Sequence, residues 1–379
     1  MPSFATLFKF LHITIFLLIA ATSTAQNPTD SVRRWAVALA PHYGFIVPHT
    51  KQMEHLITGH SFGGNVSLFR PVTGKSYWHH AYNKPEQGFD FSFINTGNMR
   101  QLGVQLSSSF LLNLPLTRKK RDFGVDGHAR NFRHWLGLGI GLGYATRNWD
   151  LENNHQAAIL GSQSNIALAL QYSVRIIKFS SGEIRGGLRI SHLSNGAYQL
   201  PNLGTNNAGL FISYVLNNEK KASILSEISK PEVEKFRYTF GVLGGMKEIP
   251  PPNGIKHGAF VFSALAEKRI SYKSSFGLGL DVLYNSSLKI LMERRSDESV
   301  SSSDVLQLGG IFSYTMHFNA FELKMQQGFY LRDNWKTDGS LYHRFGLRYR
   351  INSHLYTQLT LKTHFAKADY GEFGFGYSF

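Results

Sequence analysis

The sequence predicts a transmembrane antiparallel β-barrel, and three observations carry that reading. Lys9 precedes the apolar run Phe10-Leu11-His12-Ile13-Thr14-Ile15-Phe16-Leu17-Leu18-Ile19-Ala20, which Ser23-Thr24-Ala25 follows as a small-residue cleavage site; this is the layout of a secretory signal. Beyond Gln26 no stretch of about 18 apolar residues is present to make a helical span, whereas short runs of alternating or Gly-interrupted apolar residues recur to the end of the chain. The C-terminus places Phe373, Phe375, Tyr377 and Phe379 at alternate positions, the period of a strand.

The expected organisation is therefore a signal peptide over 1–25 and one barrel over 26–379. Its strands run from Trp35 to Phe45, Ser61 to Phe69, Phe89 to Ile94, Leu102 to Leu114 and Trp135 to Tyr144, then from Ile166 to Ile177, Ile184 to Asn195 and Asn207 to Val215. The second half continues with Phe236 to Met246, His257 to Ala266, Phe276 to Tyr284, Val305 to Met316, Phe321 to Leu331, Tyr342 to Ile351, Leu355 to Phe365 and Phe373 to Phe379. Tilted strands of about this length cross a membrane, and the pattern counts about 14 to 16 of them, at least eight. A terminal strand ending in Phe379 resembles the assembly signal of bacterial outer-membrane barrels, so the outer-membrane assembly machinery is an expected partner.

Composition agrees with a barrel. The chain has no Cys, so no disulfide framework supports it outside the cell, and its 36 Gly, 29 Phe and 17 Tyr against 17% charged residues suit tapered barrels with aromatic girdles. The formal charge of +15 is scattered through the strands, which argues against a nucleic-acid surface and fits an anionic outer leaflet of membrane lipids.

The connections hold most of the remaining information. Arg118-Lys119-Lys120-Arg121-Asp122 reads as a solvated basic turn, Glu293-Arg294-Arg295-Ser296-Asp297-Glu298-Ser299 as a polar mobile loop, and Ala222 to Lys235 as a short helix or long loop. That last segment does not mark a domain boundary in this reading, because a barrel closes only if both halves share one sheet. His79-His80 beside Tyr77-Trp78 reads as interfacial girdle, and no His/Asp/Glu spacing points to a metal. Gly139-Ile140-Gly141-Leu142-Gly143 alternates as a strand and opens no helix, so it is not a nucleotide loop.

One strand carries chemistry. In Glu183-Ile184-Arg185-Gly186-Gly187-Leu188-Arg189-Ile190-Ser191-His192-Leu193-Ser194, residues Ile184, Leu188 and Ile190 share a face with His192 and Ser194, while Glu183, Arg185, Arg189 and Ser191 take the other. In a membrane barrel the apolar face is the lipid-facing wall, so a histidine and a serine two residues apart stand together on that wall.

His192-x-Ser194-Asn195-Gly196, with Pro201-Asn202-x-Gly204 after it, resembles the signature of the outer-membrane lipid A 3-O-deacylases (PagL type), also described as acyloxyacyl hydrolases. Ala158-Ile159-Leu160-Gly161-Ser162-x-x-Asn165 and Leu210-Phe211-Ile212-Ser213-Tyr214 are similar to the flanking strands, so the resemblance spans roughly 130–217. It implies an ester hydrolase acting on lipid A or lipopolysaccharide, with no cofactor, in which Ser194 is the nucleophile, His192 the base and Asn195 a residue near the oxyanion. Where the family commonly has a glutamate twelve residues after the serine, this chain has Asn206. An amide there can orient the imidazole but supplies no charge to the imidazolium. Family members are small eight-stranded barrels, which leaves the second half of the chain for a larger barrel carrying the motif. A porin-like or structural barrel that keeps the scaffold without the chemistry is the alternative.

Overall fold

The computed structural model describes residues 35–72, 74, 76–117, 133–216, 230–232, 234–365 and 367–379. The expected signal peptide, the basic turn Arg118 to Asp122 and most of the Ala222 to Lys235 segment lie outside the described residues. All sixteen expected strands are present. The first eight are β1 (Ala36–Ile46), β2 (Ser61–Pro71), β3 (Glu86–Asn95), β4 (Val104–Pro115), β5 (His134–Ala145), β6 (Ser164–Lys178), β7 (Gly182–Ser194) and β8 (Thr205–Leu216). The second eight are β9 (Phe236–Glu248), β10 (Lys256–Arg269), β11 (Ser274–Asn285), β12 (Leu306–Phe318), β13 (Phe321–Arg332), β14 (Leu341–Arg350), β15 (Leu355–His364) and β16 (Lys367–Ser378).

These strands close twice, as two eight-stranded antiparallel barrels, and not as the single sheet expected over 26–379. β1 pairs with β8, in register Leu39↔Tyr214 and His42↔Phe211, and β16 pairs with β9, in register Phe373↔Gly244 and Phe375↔Val242. The physical requirement is that no strand edge be left open to lipid, and eight strands already meet it. Alternation along a strand is the same in either closure, so it could not distinguish one barrel from two.

Alternation sorts the side chains as a membrane barrel demands. Outward positions carry Leu39, Phe62, Val66, Leu170, Leu188, Ile190, Leu210 and Ile212 in the first barrel and Phe260, Leu278, Leu280, Phe312, Phe373 and Phe375 in the second, all exposed. Inward positions are buried and mix polar and charged residues with apolar ones such as Trp135, Leu243 and Val261. An eight-stranded barrel is just wide enough to be filled by side chains, and ion pairs cross both. Arg185 bridges Glu86 (2.7 Å) and Glu183 (2.5 Å), and Arg189 meets Asp90 at 2.6 Å, in the first. Arg344 joins Asp281 (2.8 Å) to Glu372 (2.6 Å), and Lys362 meets Asp369 at 2.7 Å, in the second. A cavity of about 30 Å³ beside Arg185 and Arg189 is a measure of how little open bore remains there. A passive channel needs a water-filled lumen, and these bridges cross it.

Two connections differ from the sequence reading. Ser286–Ser296 is a helix whose N-terminus is capped by the Asn285 side chain, which accepts from Ser287 N at 3.1 Å, so Glu293 to Ser296 form its last turn instead of a mobile loop. His79 and His80 sit in the helical turn Tyr77–Ala81, where buried His79 Nδ1 accepts from Gly74 N at 3.0 Å and exposed His80 Nε2 donates to Gly74 O at 2.7 Å. The barrels touch at both ends. At one end, Tyr82 of the β2–β3 connection stacks on Phe318 with centroids 4.6 Å apart and Tyr77 packs edge-on to Tyr272. At the opposite end, the connection between β7 and β8 meets the end of β9.

Candidate active site

β7 presents Ile190, His192 and Ser194 on its outer face near the end of the strand, and β8 sets Asn206 directly across the ladder from His192. Cross-strand partners point to the same side of a sheet, so register alone brings the third residue to the other two. His192 Nδ1 and Asn206 Oδ1 are 2.7 Å apart, and His192 Nε2 and Ser194 Oγ 2.9 Å apart. The amide oxygen can only accept, so the proton lies on Nδ1 and the Nε2 lone pair faces the serine hydroxyl. The tautomer is the one a general base requires. Asn206 Nδ2 donates in turn to His49 Nδ1 at 3.2 Å, a residue of the β1–β2 connection that no motif in the sequence singles out. Glu183 is no substitute for Asn206, because both its oxygens are engaged by Arg175 and Arg185 inside the barrel.

The rest of the motif builds the frame. Asn195 N–H donates to Asn202 Oδ1 at 2.9 Å, and Asn195 Nδ2 donates to Ser162 Oγ at 2.8 Å and Gln199 O at 2.9 Å. Pro201 O accepts from Gly161 N at 2.6 Å, Asn202 forms a bridge with Leu160, and Ile159 O accepts from Gly204 N at 3.2 Å. The two connections 146–163 and 195–204 are thus laced together, over a core of Ile46, Met53, Leu56, Leu102, Ala145, Ala157, Ile159 and Leu160. Gly196 and Gly204 have positive φ, +66° and +75°. At Gly204 glycine is required on a second count, because a methyl group there would come within 2.7 Å of His192 Cε1. Ser194, His192 and Asn206 therefore form one hydrogen-bonded chain, while Asn195, Asn202, Pro201 and Gly204 hold the segment around it.

A second serine–histidine–carboxylate relay, Ser275 to His317 (2.7 Å) to Glu322 (3.1 Å), lies inside the second barrel. Its carboxylate is shared with Arg348 at 3.6 Å and Arg350 at 3.4 Å, and Ser275 and His317 line a polar cavity of about 240 Å³ inside the barrel instead of standing on the lipid-facing wall.

The family model described as lipid A 3-O-deacylase (PagL) matches residues 63–215, and that described as acyloxyacyl hydrolase, C-terminal domain, matches 236–379. The two matches fall on the first and second barrels respectively. No curated protein matches the chain. Among solved structures, Neisserial surface protein A (NspA) is 12% identical with a TM-score of 0.32, covering 48% of this chain and 96% of that one. The outer membrane enzyme PagL is 16% identical with a TM-score of 0.30, covering 48% of this chain and 98% of that one. With its two family matches on two closed lipid-facing barrels, the chain belongs to the lipid A 3-O-deacylase (PagL) and acyloxyacyl hydrolase family of outer-membrane proteins.

Proposed function

We propose that the protein hydrolyses an ester-linked 3-hydroxyacyl chain of lipid A, or of lipopolysaccharide, in the outer membrane. Ser194 is the nucleophile, His192 the general base and then acid, and Asn206 the residue that orients the imidazole. The observation that carries the reading is the unbroken chain from Asn206 through His192 to Ser194, on the wall that faces lipid. The ester of lipid A lies just within the membrane boundary, so its hydrolase must act from the outer wall near the end of a strand, and β7 presents these residues there.

Ser194 Oγ attacks the ester carbonyl carbon as its proton passes to His192 Nε2. The resulting tetrahedral oxyanion needs a donor, since stabilising that charge supplies the largest single contribution in such reactions. Asn195 is placed beside the nucleophile, and its donation to the oxyanion would replace one of its bonds to Ser162 or Gln199. His192 then protonates the departing sugar oxygen, leaving an acyl-serine. Water, deprotonated by His192, attacks that acyl group and releases the fatty acid. Asn206 holds the ring through both halves but contributes no negative charge, so turnover is slower than a glutamate would allow. Gly196, Pro201, Asn202 and Gly204 maintain the frame.

Assembly into the membrane is read from the strand that ends at Phe379. β16 closes the second barrel against β9, Phe379 N donates to Tyr238 O at 2.9 Å, and the Phe379 ring is exposed.

The test is mass spectrometry of lipid A from cells with and without the protein. Loss of a 3-hydroxyacyl chain with wild type, and intact lipid A with Ser194→Ala, supports the reading. Identical lipid A profiles for wild type and Ser194→Ala across several lipid A types would overturn it in favour of a non-catalytic barrel.

A further inference from the structure

We propose that the second barrel is a working part of the ester-cleaving site, and that Glu248 at the end of β9 is its positioning residue. The inference rests on the reading of Ser194 and His192 given above.

Glu248 is only 2% exposed. A buried carboxylate is costly unless its oxygens find donors, and those of Glu248 are divided between the two barrels. One oxygen accepts from Leu200 N, in the β7–β8 connection of the first barrel; the other lies 3.2 Å from Lys256 Nζ, its rung partner on β10. The Glu248 backbone N–H adds a second tie by donating to Ala197 O at 3.0 Å. Lys256 Nζ stands 5.3 Å from the centre of the Tyr198 ring. Three contacts of one barrel, at Ala197, Tyr198 and Leu200, are therefore made by two residues of the other.

The segment so held joins the two strands of the site. It leaves β7 one residue after Ser194, passes through Gly196 and Ala197 with positive φ of 66° and 62°, and returns at Gly204 against His192. Left-handed backbone at Ala197 is unfavourable for a residue with a side chain and persists only where surroundings hold it. Within the first barrel the segment is tied through Pro201, Asn202 and Gly204 and through Asn195, which also bonds Tyr198 N and both backbone groups of Gln199 in a local turn. Its middle, 197–200, receives its outside ties from Glu248 and Lys256. An ordinary interface between barrels in lipid would be met by apolar packing; a buried carboxylate capping the backbone N–H of a loop fixes that loop's position instead. Attack by Ser194 on an ester depends on placement to within a fraction of an ångström, so release of this clamp should be felt in turnover and not in lipid binding.

The experiment uses the full-length protein in detergent micelles with purified lipid A, comparing wild type with Glu248→Ala and Glu248→Gln. Each preparation is checked for the fast-migrating unheated gel band of a closed barrel. Glu248→Ala is expected to lower kcat about 10- to 100-fold with KM within about 2-fold, and to speed amide hydrogen exchange at Leu200. Glu248→Gln keeps an acceptor oxygen and should recover most of the rate; it carries the test alone if the alanine variant does not fold. Wild-type kcat in Glu248→Ala, or unchanged exchange at Leu200, would overturn the proposal. Failure of the underlying site reading looks different: wild type and Ser194→Ala would then act on lipid A alike, and exchange at Leu200 in Glu248→Ala would still decide whether the clamp exists.

Discussion

Asn206 stands one rung across the β7–β8 ladder from His192, its side-chain oxygen 2.7 Å from Nδ1. On the proposed reading this amide orients the ring without compensating its charge. Asn206→Glu should place a negative charge beside the imidazolium of the transition state and raise turnover about 10-fold or more, since the reverse exchange in a serine protease costs about 10⁴. Asn206→Ala should lower it, because nothing else would select the tautomer. Single-turnover release of 3-hydroxy fatty acid measures both, and equal rates in all three proteins would remove Asn206 from the catalytic group.

If Ser194 and His192 act in one step, as proposed, their removal should not be additive. Ser194→Ala and His192→Ala should each abolish acyl release, and the double variant should be about as impaired as either single one. Both side chains lie on the outer wall, outside the ion pairs of the lumen, so the barrel should stay folded. Lipid A mass spectra together with the unheated gel band separate the two readouts.

Gly204→Ala should act through His192. The substitution places a methyl group 2.7 Å from His192 Cε1 at a φ of +75°, where the left-handed conformation itself costs about 1–2 kcal/mol. The ring must shift off Ser194, and kcat should fall about 10- to 100-fold. Gly196→Ala bears the same backbone strain, but its new methyl would lie 3.4 Å from Leu361 Cδ1 at the nearest, so a smaller loss is expected. Equal losses in the two variants would point to strain as the common cause and exclude a specific contact with His192.

Asp90→Ala should destabilise the first barrel without touching the chemistry. Arg189, 3% exposed, would keep its charge and lose its carboxylate partner at 2.6 Å, and stranding a buried partner in this way costs about 3–5 kcal/mol. The urea midpoint for loss of the unheated gel band should drop, while the folded fraction should retain its specific activity.

The double closure can be tested by cross-linking. Leu39 and Tyr214 are register partners on β1 and β8, and the chain has no native cysteine. Leu39→Cys with Tyr214→Cys should oxidise to a disulfide in the folded protein, whereas Leu39→Cys with Phe375→Cys, on β1 and β16, should not. The opposite pattern would mean one sixteen-stranded barrel.

The sequence by itself determined the strands, their lipid and lumen faces, and the pairing of His192 with Ser194, because all three follow from period-2 alternation within single strands. Only the tertiary structure decided what depends on which distant segments meet. Closure is a choice of partner for β1, and local alternation says nothing of whether β8 or β16 supplies it. Asn206 reaches His192 through the register of β7 on β8, and His49 comes from a connection over 150 positions away in the chain. Glu248 looks in the sequence like the charged end of one more strand; its carboxylate acquires a role only when the second barrel stands against Leu200 of the first. Likewise Asn285 caps a helix where the polar residues after it suggested a loop, since a cap needs a particular backbone geometry as well as a particular side chain.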